Sequence, residues 1–454
     1  MKPIRFYIAM IVARSSILAL KLLGRNASHM PGVIALKICP DVLKYLEPSD
    51  TFIAITGTNG KTSTTNMIVD FLDAQGLDVS ANLLGSNIEG GVITELMNST
   101  TFSGKSKKEV SVFEIDERAS LYIFPYIKPQ ILGVTNLYRD SYTRNAHVDY
   151  IVETLNTSIP DSTELILNAD DILCSSLKPN NRRKYFSIAP LEHEEEVKDS
   201  IIQDTPYCPV CHEPLNYEFQ RYHHVGKVHC KNCGFKSPQA NFEIIKITDT
   251  ETYLKENDEI FIYQSSSDNL SEHYNKLTAI AVLREMGYSH ATLIKYFNEI
   301  KTVESRFDEI IKDGKRYITI LSKDQNPVAN SRVFNFIKDK KEWKDIVIVM
   351  MTEAHSYNKT PRFVENMAWL YDTNFEYLNN DRIKKIYCIG SRHQEYESRL
   401  LYAGITQEKI ISSPEIVDVK DEYQTLIMLH NTKNIPITMD YRVSQMKLGD
   451  NNES

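Results

Sequence analysis

The sequence predicts an α/β protein whose central, mostly parallel sheet carries an inserted four-cysteine ribbon and is followed by a second α/β domain. Three observations lead to this fold class. Apolar strand-like runs alternate with helical stretches from residue 50 to about 170, and two cysteine pairs interrupt the pattern between residues 208 and 233. The alternation of strands and helices then returns beyond residue 306.

A chain of 454 residues is too long for one compact core, so we predict several domains. The predicted order is a helical segment over 1–47 packed on the central domain, a central domain over 48–300 with the ribbon at 205–238, and a C-terminal α/β domain over 301–454. Hydrophobic content of 42% and charged content of 25% are typical of a soluble globular protein.

The N-terminal segment 6–24 is apolar, but Arg14, Ser15, Ser16 and Lys21 interrupt it. A membrane span needs about 20 apolar residues without a central arginine. A signal peptide would need a small-residue cleavage site after a clean apolar region, and none follows. We therefore predict an amphipathic helix packed on the next domain, with shallow membrane contact as the alternative.

Strands and helices are predicted from hydrophobic periodicity and turn residues. In the first domain we expect strands at 51–56, 110–115, 131–136, 164–168, 242–248 and 259–264, and helices at 63–75, 119–126, 150–158 and 274–286. In the last domain we expect strands at 316–322, 345–351, 384–390 and 435–440. Open α/β sheets bind ligands at the carboxyl ends of their strands, so the loops there are the candidate sites.

The stretch ITGTNGKTSTTNMI, residues 55–68, follows the first predicted strand and indicates a phosphate-binding loop. Glycines let successive backbone N–H groups point at an anion, and the following helix directs its N-terminus at the same anion. Lysine adds a positive charge and threonine a hydroxyl suited to Mg²⁺. An ordinary strand-to-helix turn is the alternative. The candidate residues are Thr56, Gly57, Thr58, Asn59, Gly60, Lys61, Thr62 and Ser63.

The predicted strand at 110–115 ends in acidic side chains: the stretch VFEIDERAS contains Glu114, Asp116 and Glu117. Carboxylates at the carboxyl end of a neighbouring strand are well placed to hold Mg²⁺ beside the phosphates, and we favour Glu114 for this role. The alternative is a solvated acidic turn. Asn136, in VTNLYRD, ends the next strand and is expected to face the same cleft.

Two C-x₂-C pairs, Cys208 with Cys211 and Cys230 with Cys233, are separated by 18 residues. This spacing predicts a structural Zn²⁺ ribbon, because each pair places two thiolates on a tight turn. Redox-active pairs are the alternative. Four thiolates fill a tetrahedral shell, so we expect the metal to stabilise the insertion rather than to catalyse.

Charge and cysteine usage narrow the class of protein further. The net charge of −8 argues against a general nucleic-acid binder. Outside the ribbon the three remaining cysteines are scattered in apolar surroundings, which favours buried thiols in a reducing compartment. We therefore expect a cytoplasmic protein, at most in peripheral contact with the inner face of the membrane.

Several motifs together resemble the Mur ligase superfamily: TGTNGKTSTT, FEIDE, TNLYRD and the intervening LLGSNIEGGV. The ribbon inside the central domain makes the chain similar to the MurT family in particular. The likeness also covers VARSS near the start and NPVAN, AWLYDTNFEYL and GSRHQEYESRLLYAGITQEKI in the last domain.

This resemblance implies a Rossmann-like C-terminal domain and an ATP-dependent ligase that pairs with a GatD-type glutaminase. The implied reaction amidates the glutamate of lipid II to isoglutamine through an acyl-phosphate, with Lys61 neutralising charge and with Thr62 and Glu114 holding Mg²⁺. It also places Asn275 near the adenine and Arg306 in the nucleotide site.

The chain departs from the family pattern at some positions. Glu272 stands where an asparagine near the adenine is usual, and His147 stands where a glutamate of the acceptor cleft is usual. Asn366 occupies the position of the family's aspartate that completes the glutaminase's Cys-His pair. Asparagine can orient an imidazole but cannot stabilise its charge. Asp372 lies six residues further on and is the alternative acid.

Three functions are consistent with these residues. The first is the amidating subunit, since the phosphate-binding residues are intact. The second is a divergent ATP-binding scaffold or regulatory paralogue that no longer amidates. The third is an ATP-dependent amino-acid ligase that acts without a glutaminase.

Overall fold

A computed structural model describes residues 2–83, 86–139, 147–191, 194, 200–265, 269–299, 307–322, 326–352, 367–431 and 435–451. The chain divides into two units by its internal contacts. The first unit holds Met1–Tyr138, His147–Lys198 and Thr205–Lys301, and the second holds Arg139–Ala146, Asp199–Asp204 and Thr302–Ser454.

A nine-stranded sheet forms the centre of the first unit. Its strands are β1 (Thr51–Thr56), β2 (Val79–Ala81), β3 (Val110–Glu114), β4 (Ile131–Val134), β5 (Glu164–Asn168), β6 (Arg183–Ile188), β9 (Phe242–Ile247), β10 (Glu251–Glu256) and β11 (Glu259–Gln264). The order across the sheet is β11-β10-β9-β6-β5-β4-β1-β3-β2. Neighbours are parallel from β2 to β9, and β10 and β11 add an antiparallel edge. β1 lies between β3 and β4, so the loops that follow these three strands meet at one edge of the sheet.

The helices of the first unit cover this sheet. They are α1 (Ile4–Leu22), α2 (Met30–Ile38), α3 (Lys61–Ala74), α4 (Glu89–Ser99), α5 (Ser120–Ile123), α6 (Val148–Ser158), α7 (Ile172–Ser175), α8 (Leu270–Glu285) and α9 (His290–Glu299), with a short 3₁₀ helix at Val42–Tyr45. α1 buries Phe6, Ala9, Met10, Ala13 and Ile17. Among the described residues, no helix combines the length and apolar character that crossing a bilayer requires.

The insertion between β6 and β9 forms a two-stranded antiparallel hairpin of β7 (Asn216–Tyr222) and β8 (Val225–His229). Its tight turn uses His223, whose φ is +49°. The hairpin bridges back to the main body, because Val225 pairs with Asp171, just after β5. The sequence-predicted ribbon is therefore a small sheet attached to the large one.

The second unit has a six-stranded sheet in the order β12-β13-β17-β14-β15-β16. Its elements are β12 (Phe307–Lys312), β13 (Lys315–Leu321), α10 (Pro327–Asp339), β14 (Ile346–Met351), β15 (Ile383–Ile389), α11 (His393–Tyr402), β16 (Ile410–Ser413), β17 (Thr425–His430) and α12 (Ile435–Asn451), with 3₁₀ helices at Ala368–Asp372, Phe375–Leu378 and Gln407–Lys409. Only the β12–β13 pair is antiparallel. The predicted fold class, a parallel-sheet α/β domain with a ribbon followed by an α/β domain, is confirmed.

One predicted strand of the second unit is wrong, and three of its strands, β12, β16 and β17, were not predicted. Residues 435–440, predicted as a strand, begin the helix α12. Pro436 lies in the first turn of that helix, where its missing N–H costs nothing because first-turn amides have no partner within the helix. The strand that belongs in the sheet is β17, which is buried throughout and pairs with both β13 and β14.

Candidate functional site

The phosphate loop joins the end of β1 to the start of α3. Gly57 has a φ of +125° and Gly60 a φ of +86°, a region that favours glycine. Space is equally restrictive: a Cβ on Gly57 would lie 2.3 Å from Thr135 Oγ1, and one on Gly60 would lie 2.0 Å from Asn275 Oδ1. Both glycines are therefore required by the conformation and by the close packing of neighbours.

The segment after β4 holds this loop in place. Asn136 accepts the backbone N–H of Asn59 at 3.0 Å and donates back to the Asn59 carbonyl at 2.9 Å. Thr58 donates its N–H to the carbonyl of Asn136 at 2.8 Å, and its hydroxyl accepts the N–H of Tyr138 at 2.9 Å. The predicted residue Asn136 thus lies in the site, and in this structure it orients the loop.

Lys61 and Thr62, the first two residues of α3, point at two acids at and just beyond the end of β3. The Lys61 ammonium donates to the Gly57 carbonyl and lies 3.6 Å from Glu117 Oε2. The Thr62 hydroxyl donates to Glu114 Oε2 at 2.7 Å. A hydroxyl and a carboxylate side by side next to a phosphate loop are the oxygen donors that Mg²⁺ prefers, so Thr62 and Glu114 fit that ion.

The three predicted acids have different roles in the structure, although all three are buried. Glu114 faces Thr62 and Glu117 faces Lys61. Asp116 Oδ1 instead accepts the backbone N–H groups of Arg118 and Ala119, at 3.0 and 3.4 Å. Two of the acids therefore face the residues of the phosphate loop and α3, and the third stabilises the backbone of the acidic turn itself.

Two asparagines that the sequence reasoning did not single out hold Glu114 in position. The Asn82 side chain accepts the Glu114 N–H at 2.9 Å and donates to the Glu114 carbonyl at 2.8 Å. Asn87 donates to Glu114 Oε1 at 2.7 Å. Asn87 falls inside the motif LLGSNIEGGV, which was the available signal in the sequence.

Asn275 reaches the same loop from α8. Its side chain lies against Gly60, and its carbonyl accepts the Thr64 hydroxyl at 3.4 Å. The predicted adenine-side residue is therefore beside the phosphate loop. Glu272, the departure noted in the sequence, lies one turn earlier in α8.

The four cysteines of the insertion meet. Sγ of Cys208 is 3.5 Å from Sγ of Cys233, Sγ of Cys211 is 3.5 Å from Sγ of Cys230, and all four sulfurs lie within 4.8 Å of one another. Zn–S bonds of about 2.3 Å at tetrahedral angles place sulfurs about 3.8 Å apart. The cluster thus fits a tetrahedral Zn²⁺, whose chemistry there would be to crosslink the two turns.

The two cysteine pairs sit on similar turns. His212 and Gly234 each follow the second cysteine of a pair, with φ of +61° and +75°. Their N–H groups donate to the carbonyls of Cys208 and Cys230, both at 3.0 Å. The structure therefore shows two equivalent knuckles facing each other, as the spacing predicted.

A buried ion-pair network attaches the hairpin to the sheet. Arg221 on β7 donates to Asp170 Oδ2 at 3.0 Å and to Glu194 Oε1 at 2.6 Å. It also donates to the Ala189 carbonyl at 2.7 Å and to the hydroxyl of Tyr274, which in turn donates to Asp170 at 2.6 Å. Burial raises the pKa of Asp170, and the Arg221 charge opposes that rise. Sequence reasoning missed this network.

The turn of the hairpin packs on the segment after β4. The ring of His224 lies 5.2 Å from that of Tyr138, and His224 Nε2 lies 3.2 Å from Asp171 Oδ1. Asp171 also accepts the N–H of Leu137 at 2.7 Å. The hairpin therefore contacts two residues that support the phosphate loop. His224 packs on Tyr138, which bonds Thr58, and Arg221 bonds Tyr274, which precedes Asn275.

Other predicted residues lie elsewhere. Asn366 and Arg306 fall outside the described residues. Asp372 belongs to the second unit, where its Oδ2 accepts Arg139 Nη1 at 2.6 Å. His147 is exposed, and its Nδ1 lies 3.8 Å from Asp149. The roles expected for these four residues stay predictions.

Comparison with known proteins gives one family match and several relatives. The family model described as MurT ligase C-terminal matches residues 323–443. The lipid II isoglutaminyl synthase (glutamine-hydrolyzing) subunit MurT of Staphylococcus aureus (strain N315) is 30% identical over 405 residues, which cover 88% of this chain and 89% of the relative. The protein of the same name from Streptococcus pneumoniae (strain ATCC BAA-255 / R6) is 28% identical, over 91% of this chain and 90% of its own.

Solved structures with the same fold are more distant in sequence. A pseudomurein peptide ligase type C from Methanothermus fervidus aligns with a TM-score of 0.64 at 19% identity, covering 88% of this chain and 80% of its own. MurF ligase from Thermotoga maritima in complex with ADP aligns with a TM-score of 0.54 at 14% identity, covering 92% and 84%. These likenesses establish the Mur ligase-like fold.

Proposed function

The chain belongs to the MurT family of ATP-dependent ligase subunits, and we propose that it is the synthetase subunit of an enzyme that amidates lipid II. The acceptor is the glutamate carboxylate of the lipid-linked precursor, and the product is isoglutamine. Ammonia comes from glutamine hydrolysed by a glutaminase partner of the GatD type.

One observation carries the proposal: Thr62 and Glu114 meet beside Lys61 at a loop that is shaped for phosphate. A metal-binding pair and an ammonium on one side of a phosphate loop are the groups that phosphoryl transfer needs. Asn82 holds the Glu114 backbone and Asn87 holds its carboxylate, so little reorganisation is needed during reaction.

In the proposed reaction, a glutamate carboxylate oxygen attacks the γ-phosphorus of ATP, and the bond to the β–γ bridging oxygen breaks to release ADP. Lys61 offsets the negative charge that develops on the transferred group. Ammonia then attacks the acyl-phosphate carbon, phosphate leaves, and a proton is lost to give the amide. When bound, Mg²⁺ neutralises phosphate charge, and Thr62 and Glu114 are the residues that would hold it.

The second unit is the proposed contact for the glutaminase. The family position of the completing aspartate is Asn366 here, and Asp372 already accepts a hydrogen bond from Arg139. Use of Asp372 by a partner would therefore require that ion pair to open. The partner contact is proposed from family membership, and the acid that serves it is open to test by substitution of each position.

The test is glutamine-dependent amidation of lipid II by the co-purified chain and glutaminase, with ATP hydrolysis measured in parallel. We expect Lys61→Met and Glu114→Gln to lower the amidation rate by at least about a hundredfold. The first removes a positive charge at the transferred group, and the second removes a residue that would hold Mg²⁺ there. Lys227→Met is the matched control, because Lys227 lies on the exposed face of the hairpin and pairs only with Glu218 among the ion pairs of the described residues.

Each outcome separates the three functions. Amidation that needs glutamine, ATP and the partner supports the proposal. Nucleotide binding without turnover in the presence of the partner identifies a scaffold. Turnover with a free amino acid and no partner identifies a stand-alone ligase, and either of the last two results overturns the amidation proposal.

A further inference from the structure

One face of α1 is exposed and almost wholly apolar. Along it lie Ile4, Ile8, Ile11, Leu18 and Leu22, at the i, i+4, i+7 spacing of a single helical stripe. Exposure of these side chains runs from 47% at Ile8 to 80% at Leu22. Single exposed apolar residues are ordinary, but five along one helical face, interrupted only by the exposed Ser15, mark an interaction surface.

The opposite face fixes the orientation of the helix. All five of its inward residues are buried, and four of them, Phe6, Ala9, Met10 and Ala13, lie in one core cluster with residues of α2 and α4. One face of α1 is therefore packed on the first unit, and the apolar stripe on the opposite face is exposed.

Charge indicates the chemistry of the occupant. Residues 1–40 contain six lysines and arginines and no acidic residue, whereas the whole chain has a net charge of −8. Lys21 and Arg25 are exposed at the end of the stripe, and Lys37 is exposed on α2. An apolar stripe bordered by positive charge matches the acyl boundary and headgroups of an anionic bilayer, the arrangement of helices that lie in the membrane plane.

We propose that α1 docks the protein on an anionic bilayer surface, with Ile4, Ile8, Ile11, Leu18 and Leu22 entering the headgroup–acyl boundary. The exposed basic residues Lys21, Arg25 and Lys37 contact lipid phosphates. The other three, Lys2, Arg5 and Arg14, are hydrogen-bonded within the protein. The functional benefit of this docking rests on the proposed function. A lipid-linked acceptor is confined to the membrane surface, so a ligase docked there meets it by diffusion in two dimensions.

The experiment is flotation of the full chain with vesicles of phosphatidylcholine, with and without about a third of phosphatidylglycerol. We expect flotation with the anionic vesicles that weakens several-fold between about 0.05 and 0.5 M salt. Ile8→Gln combined with Ile11→Gln should lower the vesicle partition coefficient by at least about tenfold, because two apolar side chains that would enter the bilayer are lost. The matched control is Ile260→Gln with Ile262→Gln on β11, exposed to 54% and 44% against 55% for Ile11 and 47% for Ile8.

Several results overturn the docking proposal. These are no flotation, equal flotation of the α1 variant and its control, or loss of a dimer or of glutaminase capture in the α1 variant with flotation unchanged. Binding of ATP with Mg²⁺, measured on the same preparations, keeps the two proposals apart. A chain that binds nucleotide but not vesicles overturns only the docking, and one that floats but does not amidate overturns only the proposed function.

Discussion

Replacing Arg221 with methionine tests whether the cysteine insertion and the phosphate loop behave as one structural element. The substitution keeps much of the side-chain volume and removes all the guanidinium donors. Arg221 is 2% exposed, and its loss leaves the carboxylates of Asp170 and Glu194 without their cation. Breaking a buried ion pair from one side costs about 3–5 kcal/mol. At about 2 °C per kcal/mol for a unit of this size, the melting temperature should fall by about 6–10 °C.

The loss should depend on pH in a defined direction. Burial already raises the pKa of Asp170, and removing Arg221 takes away the charge that opposes the rise. A carboxyl whose folded-state pKa is raised above its unfolded value loses stability as pH increases through that pKa. The destabilisation of Arg221→Met should therefore be larger at pH 8 than at pH 5. Adding Asp170→Asn should restore part of it, because the uncompensated charge is then gone.

A functional readout follows from the contacts of the network. Tyr274, bonded to both Arg221 and Asp170, is followed in α8 by Asn275, which lies against Gly60. A shift in α8 that weakens the loop by about 1 kcal/mol lowers nucleotide affinity about fivefold. We expect this loss in calorimetric titration with ADP and Mg²⁺ at a temperature where the variant is folded.

The control variant is Lys227→Met, on the same hairpin but about half exposed, with an expected stability change within about 0.5 kcal/mol. The reasoning is refuted if Arg221→Met melts within about 2 °C of the parent, given the size of the expected penalty. It also fails if Asp170→Asn makes the variant less stable still, or if nucleotide affinity is unchanged in the destabilised protein.

Three further predictions concern the loop, a buried acid and the cysteine cluster. Gly60→Ala should lower nucleotide affinity at least about tenfold in calorimetry, because its φ is +86° and a Cβ would lie 2.0 Å from Asn275 Oδ1. Burial raises the pKa of Glu95 from 4.5 to about 7, so ionising it costs native stability as pH rises across that range. Glu95→Gln should thus gain up to about 3 kcal/mol in urea unfolding at pH 8 and less than about 1 kcal/mol near pH 5. Cys211→Ser should reduce zinc, measured by plasma mass spectrometry, from about one per chain to near zero.

Matched variants accompany these three. Gly76→Ala has a similar φ of +83° but open space around its Cβ, so it should cost stability without changing nucleotide affinity; equal losses at both glycines contradict the packing argument. Glu218→Gln, on the exposed hairpin face, should change stability equally at both pH values, and a Glu95→Gln gain that is the same at pH 5 and 8 counts against burial as the cause. Cys388→Ser, a buried cysteine outside the cluster, should keep its zinc, and zinc retained in Cys211→Ser would rule out the ligand set.

The sequence could predict those features of the site whose signal is local. The phosphate loop is a run of consecutive residues between a strand and a helix, so its glycines, Lys61 and Thr62 are recognisable without any tertiary contact. The position of Glu114 could be predicted because parallel neighbouring strands end at the same edge of a sheet, and β3 lies beside β1. The cysteine pairs carry their geometry in their spacing, and their sulfurs do meet.

In the region of β17 and α12, local sequence patterns predicted the wrong secondary structure. The run TLIMLH at 425–430 is rich in leucine and methionine, which favour helices, yet it is one of the two middle strands of its sheet. Burial between β13 and β14 on both edges outweighs that preference. IPITMD at 435–440 has the β-branched pattern of a strand, yet it begins a helix. Pro436 is tolerated in the first helical turn, because backbone N–H groups there have no partner within the helix.

The Arg221 network could not be read from sequence because its members are far apart in the chain and each is of a common type. Asp170 follows β5, Arg221 lies on β7 and Tyr274 on α8, and only the fold brings their side chains together. Once assembled, the network explains how a closed four-thiolate cluster, which offers no open position for chemistry, bears on the reaction site. The hairpin places Arg221 against Tyr274 and His224 against Tyr138. A zinc crosslink would hold both side chains firmly there, and a hairpin without it would hold them less firmly. The metal is therefore expected to influence nucleotide binding through packing, so Cys211→Ser should lower nucleotide affinity in the same direction as Arg221→Met.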